Sequence, residues 1–207
     1  MNDTIATATI VAATGAALPA LATARLVLRP FVRADAPRVQ ELAGAREIAD
    51  TALNMPHPYP DGAAEAWIAT HAQAFAEGKG LTLAVALKND LLIGCVSLGI
   101  SPRHRHAEIG YWIGKDYWGK GHCTEAAFEI VRFGFERLGL HRVFGECLRR
   151  NPASARVMQK IGMSYEGCMR QHVRKGDQFE NMEIYGLIRE GFLAGIARFA
   201  NSASMGQ

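Results

Sequence analysis

The sequence predicts a mixed α/β fold in which one central twisted sheet carries helices on both faces. Two observations point there. Apolar runs with the two-residue period of strands alternate along the chain with segments of helical period, the pattern that layers helices onto a sheet. Between Ile109 and Glu125, moreover, a strand-like segment passes through Gly119-Lys-Gly121 straight into a helical stretch. At 207 residues, 49% hydrophobic and 21% charged, the chain has the size and composition of one soluble domain whose core needs neither disulfide nor metal.

The elements follow in order. Arg25-Leu-Val-Leu-Arg29 alternates and stops at Pro30, as a strand does. Asp35 opens a short helix with Pro37 inside its first turn, running to about Leu42. Met55-Pro-His-Pro-Tyr-Pro60 places three prolines in six residues, which excludes helix and central strand and leaves a shaped loop. Residues 62–77 carry Ala63, Ala66, Trp67 and Phe75 at helical spacing, with Gly78 as the stop. Leu81 to Leu87 and Leu91 to Ile100 are strands turned by Asn89-Asp90, and Ala107 to Ile113 is the next strand. Thr124 to Leu138 is a helix with Ala127, Phe128, Val131, Phe135 and Leu138 on one face, ended by Gly139. Arg142 to Leu148 is a strand. Asn151 then caps a helix with Pro152 at its first position and Gly162 at its end. Glu166 to Val173 and Phe179 to Leu187 form a hairpin around Lys175-Gly-Asp-Gln178. The domain plan is a disordered leader over 1–22, one domain over 23–192, and a tail over 193–207.

Several function classes are set aside on composition. The net charge of +3 needs no explanation beyond solubility, so no nucleic acid is expected. The four cysteines (Cys95, Cys123, Cys147, Cys168) form no CxxC pair, which argues against a zinc knuckle or a dithiol. Cys95 and Cys147 read as small buried hydrophobes in a reducing compartment. Residues before Arg25 are rich in Ala and Thr and hold no Lys or Arg, unlike a secretory signal. No apolar run approaches the length of a membrane span. A cytoplasmic protein, monomer or homodimer, is the expectation. His104-Arg-His106 lacks a nearby Cys or acidic ligand and reads as a solvated loop, so no metal is expected.

The chemistry centres on Gly119-Lys120-Gly121. A strand-to-helix turn aims free backbone N–H groups and the positive end of a helix dipole at one point, a place suited to phosphate or pyrophosphate. Two familiar phosphate loops fail here. Gly114 to Gly121 reads GxxxxGK but continues with Gly where a Walker loop needs Ser or Thr for magnesium, which argues against a P-loop phosphotransferase. Gly119, Gly121 and Thr124 give GxGxxT, without the third glycine of a dinucleotide turn. Further on, Asn151 and Ser154 sit three apart at a helix start, where both could be simple caps.

Four stretches together resemble the GNAT N-acetyltransferase superfamily, in the branch of the ribosomal-protein N-acetyltransferases RimJ and RimL. They are Arg25-Leu-Val-Leu-Arg-Pro30, then Glu108-Ile-Gly-Tyr-Trp-Ile113 with Trp118-Gly-Lys-Gly-His-Cys-Thr-Glu-Ala126, then Asn151-Pro-Ala-Ser154 through Lys160-Ile-Gly-Met163, and Glu166-Gly-Cys-Met-Arg170 closing at Tyr185. The resemblance covers roughly Thr23 to Arg189 and implies a GNAT-like acyl-CoA N-acyltransferase fold. It implies acetyl-CoA as cosubstrate and a primary amine, a protein N-terminus in this branch, as acceptor. Trp118, Gly119, Lys120, Gly121, His122, Cys123 and Thr124 would then form the pyrophosphate loop, with Trp118 and Cys123 departing from the family's usual residues. The strand holding Tyr111, Trp112 and Ile113 would splay from its neighbour and offer main-chain groups to the pantetheine arm. Asn151 would hold that arm, and Ser154 would protonate the leaving thiolate.

An attacking amine must first lose its proton, so a base is needed. By resemblance Glu108, at the start of the acyl-CoA strand, and His172, in the terminal hairpin, are the candidates. The branch can carry a glutamate one residue after His172, where this chain has Val173. His57 and Tyr59 in the proline loop are candidate acceptor contacts, or the prolines simply stiffen a lid. Two other readings stay open: acetyl transfer to a small amine (polyamine, amino acid or aminoglycoside), and a non-catalytic acyl-CoA-binding module.

Overall fold

A computed structural model describes residues 17–195. Most of the expected leader and tail therefore lies outside the described residues. Their inner ends differ from expectation. Leu21–Ala22 (β1) pairs with the next strand, and residues 189–195 are helical (α7), with Phe192 buried in the core.

The remaining elements are β2 (Leu26–Arg29), α1 (Ala36–Ala43), α2 (Arg46–Thr51), α3 (Ala63–Ala69), α4 (His71–Ala76), β3 (Gly80–Leu87), β4 (Leu92–Ser101), β5 (His106–Ile113), α5 (His122–Glu136), β6 (Arg142–Leu148), α6 (Pro152–Lys160), β7 (Ser164–Lys175) and β8 (Gln178–Ile188). All eight strands form one sheet in the order β1-β2-β3-β4-β5-β6-β8-β7. Every neighbouring pair is antiparallel except β5–β6, so the sheet is mixed, as expected.

Period-two alternation sorts the side chains of β5. Ala107, Ile109, Tyr111 and Ile113 face the larger apolar cluster, where Ala126, Ile130, Val131 and Phe135 of α5 and Met158 of α6 close over the sheet. Trp112 faces the opposite side and joins a smaller cluster with Phe31, Val39, Ala64, Met55, Tyr59 and Trp67. Helices therefore cover both faces. At Gly145 in β6 an added Cβ would meet Met158 Sδ at 2.7 Å and Ile109 Cγ2 at 2.9 Å. Only glycine lets α6 lie that close to the middle of the sheet.

The expected helix over 62–77 is two helices. The break falls at Thr70, whose hydroxyl donates to the Trp67 carbonyl at 2.7 Å and competes with the helical ladder. Asp35 precedes α1 as expected but does not cap it through its side chain. Its carboxylate instead accepts from Val32 N–H and from both terminal nitrogens of Arg29. α5 begins at His122, two residues earlier than the sequence suggested. His106 is the first residue of β5 rather than loop, with its ring stacked on His104. Among the described residues no group of three or more His, Cys, Asp or Glu is placed to hold a metal, and no helix is long and apolar enough to cross a membrane.

Candidate active site

The parallel β5–β6 pair stops early. Its last partners are Glu108 and Phe144, although β5 continues to Ile113 and β6 to Leu148. Beyond Glu108 the two strands bound a gap. Gly114 N–H donates to the Ile93 carbonyl of β4 at 2.8 Å, which fixes the phase of β5. Residues of that phase turn their main chain toward β4, so Ile109, Tyr111 and Ile113 turn theirs toward the gap. One of those groups is already used: the Trp118 indole N–H donates to the Ile113 carbonyl.

Across the gap stands the first turn of α6. Asn151 is its N-cap, with Oδ1 accepting from Ser154 N–H at 3.2 Å, while Nδ2 donates to the Thr51 carbonyl of α2 at 3.5 Å. The cap thus fixes Ser154 and ties α6 to α2. The Tyr111 hydroxyl lies 2.9 Å from Ser154 Oγ and donates to the Ser154 carbonyl at 3.1 Å. Burial raises the Tyr111 phenol above its ordinary value, so it stays a neutral hydroxyl. Cys147 completes this group. Burial, and then the Glu183 charge, push its thiol up to about 11 against hydrogen bonds from Ala155 N–H and Ser154.

The loop before α5 holds Gly119 and Gly121 at φ of 73° and 80°, the left-handed region open to glycine. None of the N–H groups from Gly119 to Thr124 donates to an acceptor among the described residues. The first to do so is Glu125, to the Gly121 carbonyl at 3.1 Å. This is the unsatisfied donor set of a helix start, pooled with the helix dipole. The side chains behave differently from the main chain. Lys120 Nζ folds back onto the Asp116 carbonyl at 2.9 Å and over the Tyr117 ring. His122 is buried, and Cys123 packs against the core, its thiol pushed up to about 12 by burial. A charge cluster braces the loop from behind. Glu125 Oε1 accepts from Thr23 Oγ1 at 2.7 Å and Arg25 N–H at 2.8 Å, its Oε2 accepts from Arg25 Nε at 2.6 Å, and Arg25 Nη1 donates to the Lys120 carbonyl at 2.9 Å. Beside it lies a cavity of about 550 Å³ lined by Arg25, Gly121, Thr124, Phe128 and Lys160 among others.

On the other face, Glu108 sits where the strands part, with Glu146 two residues beyond its partner Phe144. Glu108 keeps contact with solvent, yet partial burial, and then the like charge of Glu146, raise its carboxyl above the ordinary range. His57 Nδ1 lies 3.1 Å from the Gly44 carbonyl, and Tyr59 packs into the smaller cluster with Trp112. The proline loop and Trp112 therefore share the face of Glu108. His172 does not join either group. It is exposed in the irregular stretch between Met169 and Val173, and no contact links it to Tyr111, Ser154 or Glu108 among the described residues.

The structure thus joins Tyr111, Asn151 and Ser154 on one face of the sheet, while Glu108 lies on the other face, the one that Tyr59 and Trp112 occupy. Sequence reasoning missed Arg25 and Glu125 as loop supports, Glu146 beside Glu108, and Cys147 beside Ser154. The β5–β6 pairing that relates Glu146 to Glu108 leaves no sign in local spacing.

The model of the GNAT acetyltransferase domain matches residues 25–164. The chain belongs to the GNAT acetyltransferase family. It is 28% identical over 173 residues to the uncharacterised N-acetyltransferase YoaA of Bacillus subtilis, covering 83% of this chain and 97% of that one. It is 31% identical over 102 residues to the ribosomal-protein-serine acetyltransferase of Escherichia coli, 49% of this chain and 57% of that one. Two other B. subtilis relatives, YnaD and YjcK, are matched over 49% and 56% of their length. A GNAT acetyltransferase from Bacillus anthracis superposes with a TM-score of 0.75 at 24% identity, over 83% of this chain and 99% of that one. The ribosomal L7/L12 α-N-protein acetyltransferase RimL, solved with coenzyme A, gives 0.76 at 19%, over 84% and 98%. The spermidine N-acetyltransferase of Vibrio cholerae, solved with coenzyme A and spermine, gives 0.72 at 20%, over 83% and 99%. At these identities the structural likeness is one of fold. The protein is an N-acetyltransferase of the GNAT family.

Proposed function

We propose that this enzyme moves an acetyl group from acetyl-CoA to a primary amine, with a protein N-terminal amine as the acceptor, by direct attack in a ternary complex. The observation that carries the reading is the run of free N–H groups from Gly119 to Thr124, taken with the main chain of Tyr111 in the gap and the Tyr111–Ser154 hydroxyl pair. Pyrophosphate suits the loop amides, and an extended amide-bearing arm suits the edge of β5. Phe128 and Lys160 offer an aromatic surface and a cation to an adenosine phosphate.

The amine nitrogen forms its bond to the thioester carbonyl carbon as the carbon–sulfur bond breaks. Glu108 takes the proton the amine gives up, directly or through water, and its raised pKa makes it a stronger base than an ordinary carboxylate. Ser154 gives a proton to the departing sulfur, with the neutral Tyr111 hydroxyl holding its orientation.

Glu108 and Glu146 favour a second reading, a small polycation such as spermidine, because neither carboxylate is joined to a cationic side chain among the described residues. Isothermal titration with acetyl-CoA tests the cosubstrate; no binding at hundreds of micromolar would sink both readings. A screen of N-terminal peptides and polyamines, followed by thiol release, separates the acceptors.

A further inference from the structure

We infer that Arg25 and Glu125 form a clamp that sets the shape of the Gly119–Gly121 loop before any ligand arrives. Arg25 is a positioning residue, acting on the cosubstrate through the loop carbonyl it holds. This rests on the reading of that loop as the pyrophosphate site.

The geometry has three parts. Glu125, in the first turn of α5, spends both carboxylate oxygens on the β1–β2 connection: Oε1 on Thr23 Oγ1 and Arg25 N–H, Oε2 on Arg25 Nε. With the guanidinium plane fixed in this way, Nη1 reaches the Lys120 carbonyl at 2.9 Å. The third nitrogen, Nη2, stands 3.2 Å from where a Cβ on Gly121 would be, so the guanidinium packs against the very glycine that needs φ of 80°. A carbonyl held from outside turns its peptide plane, and the N–H of Gly121 on that same plane is turned with it, away from Arg25. Holding Lys120 C=O outward therefore aims Gly121 N–H inward, into the set of free donors.

The Lys120 side chain cannot do this, being folded onto Asp116. Nor is the clamp needed by the core, since Arg25 is half exposed and contributes no buried apolar surface to the larger cluster. Its partner lies 100 residues away, which makes it a tertiary brace and not a feature of the helix alone. A rigid anion cradle binds without first ordering its backbone, and that saving appears as affinity.

Position and charge predict opposite signs for one substitution, which makes the clamp testable. If Arg25 acts only as a nearby positive charge, Glu125→Gln removes a competing negative charge and tightens coenzyme A binding. If the clamp positions the loop, Glu125→Gln frees the guanidinium and weakens binding. We expect Glu125→Gln to raise the Kd for coenzyme A several-fold by isothermal titration. Arg25→Lys, which keeps the charge but loses the fork, should raise it about tenfold. The KM for acetyl-CoA should rise in step while kcat at saturation stays unchanged. Hydrogen exchange of the ligand-free protein supplies a second readout: peptides over 118–124 should exchange faster in both variants than in wild type, with peptides over β3 and β4 unchanged. Tighter binding by Glu125→Gln, or loop exchange unaltered in both variants, would overturn the clamp. Should wild type itself fail to bind coenzyme A, the cosubstrate reading falls, while the exchange comparison still decides whether Arg25 shapes the loop.

Discussion

Tyr111 and Ser154, 43 residues apart, meet through a 2.9 Å contact between their hydroxyl oxygens at the open side of β5. Tyr111 packs on the larger core, and Ser154 is fixed by the Asn151 cap. A hydroxyl pair held this firmly suits proton delivery at a defined point. Ser154→Ala should lower kcat by about a hundredfold, within the range of general acid catalysis, while the Kd for acetyl-CoA stays near wild type. Tyr111→Phe should cost less in kcat. Steady-state kinetics beside titration would separate the two effects.

Glu108 supplies a pH prediction with a defined sign. Burial first, then Glu146, raise its carboxyl, so the acidic limb of kcat/KM should lie above the ordinary carboxylate range. Glu146→Gln removes the like charge and should move that limb to lower pH. A raised carboxyl favours the fold when protonated, and this contribution is lost as pH rises through the folded-state pKa. Glu108→Gln should therefore inactivate the enzyme and raise its melting temperature at pH 7 relative to wild type, with the gain vanishing near pH 4. Calorimetry at the two pH values checks the sign.

The two loop glycines should respond differently to alanine. Both have positive φ, so each substitution strains the backbone by about 1–2 kcal/mol. At Gly119 the added Cβ meets nothing within 4 Å, whereas at Gly121 it comes 3.2 Å from Arg25 Nη2. Gly121→Ala should lower both melting temperature and coenzyme A affinity more than Gly119→Ala. Equal losses in thermal unfolding and titration would contradict this ranking.

His71 sets part of the acid stability. It is buried between Phe31 and Trp67, and neither ring nitrogen has a hydrogen-bond partner among the described residues; burial lowers its pKa to about 4. A depressed histidine favours the fold while neutral. That contribution is complete above about 6.5 and is lost as pH falls toward 4, on the order of 3 kcal/mol in all. His71→Leu should leave stability at pH 7 unchanged or higher and flatten the fall in acid. Denaturant unfolding at pH 7 and pH 4.5 would show it.

Local patterns made much of the fold legible. The alternation in β2 and β5, the Asn89-Asp90 turn and the Asn151-Pro152 helix start each depend on neighbours within a few residues, and each appears as expected. Features set by distant partners were not legible. Leu21–Ala22 pairs only because Val27–Leu28 is there to receive it. α2, six residues rich in charge, has too short a period to read. Within the candidate site, Tyr111, Ser154 and the loop were found as motifs, but the contact joining the two hydroxyls was not. Glu146 and the Arg25–Glu125 clamp were missed for the same reason, since cross-strand and cross-element pairs follow from topology. His172, placed by resemblance, lies in an irregular stretch whose geometry no short pattern encodes.

The early end of the β5–β6 ladder has a mechanical consequence. Five strands lie on one side of that seam and three on the other, and within the sheet only three residue pairs, from His106–Arg142 to Glu108–Phe144, stitch them together. The sheet behaves as two leaves of a book with a short spine, backed by α5 and α6. A ligand that fills the opening and bonds to both leaves would fasten them. Occupancy of the gap should therefore show itself far from the gap, as a sharper and later melting of strands that touch no ligand at all.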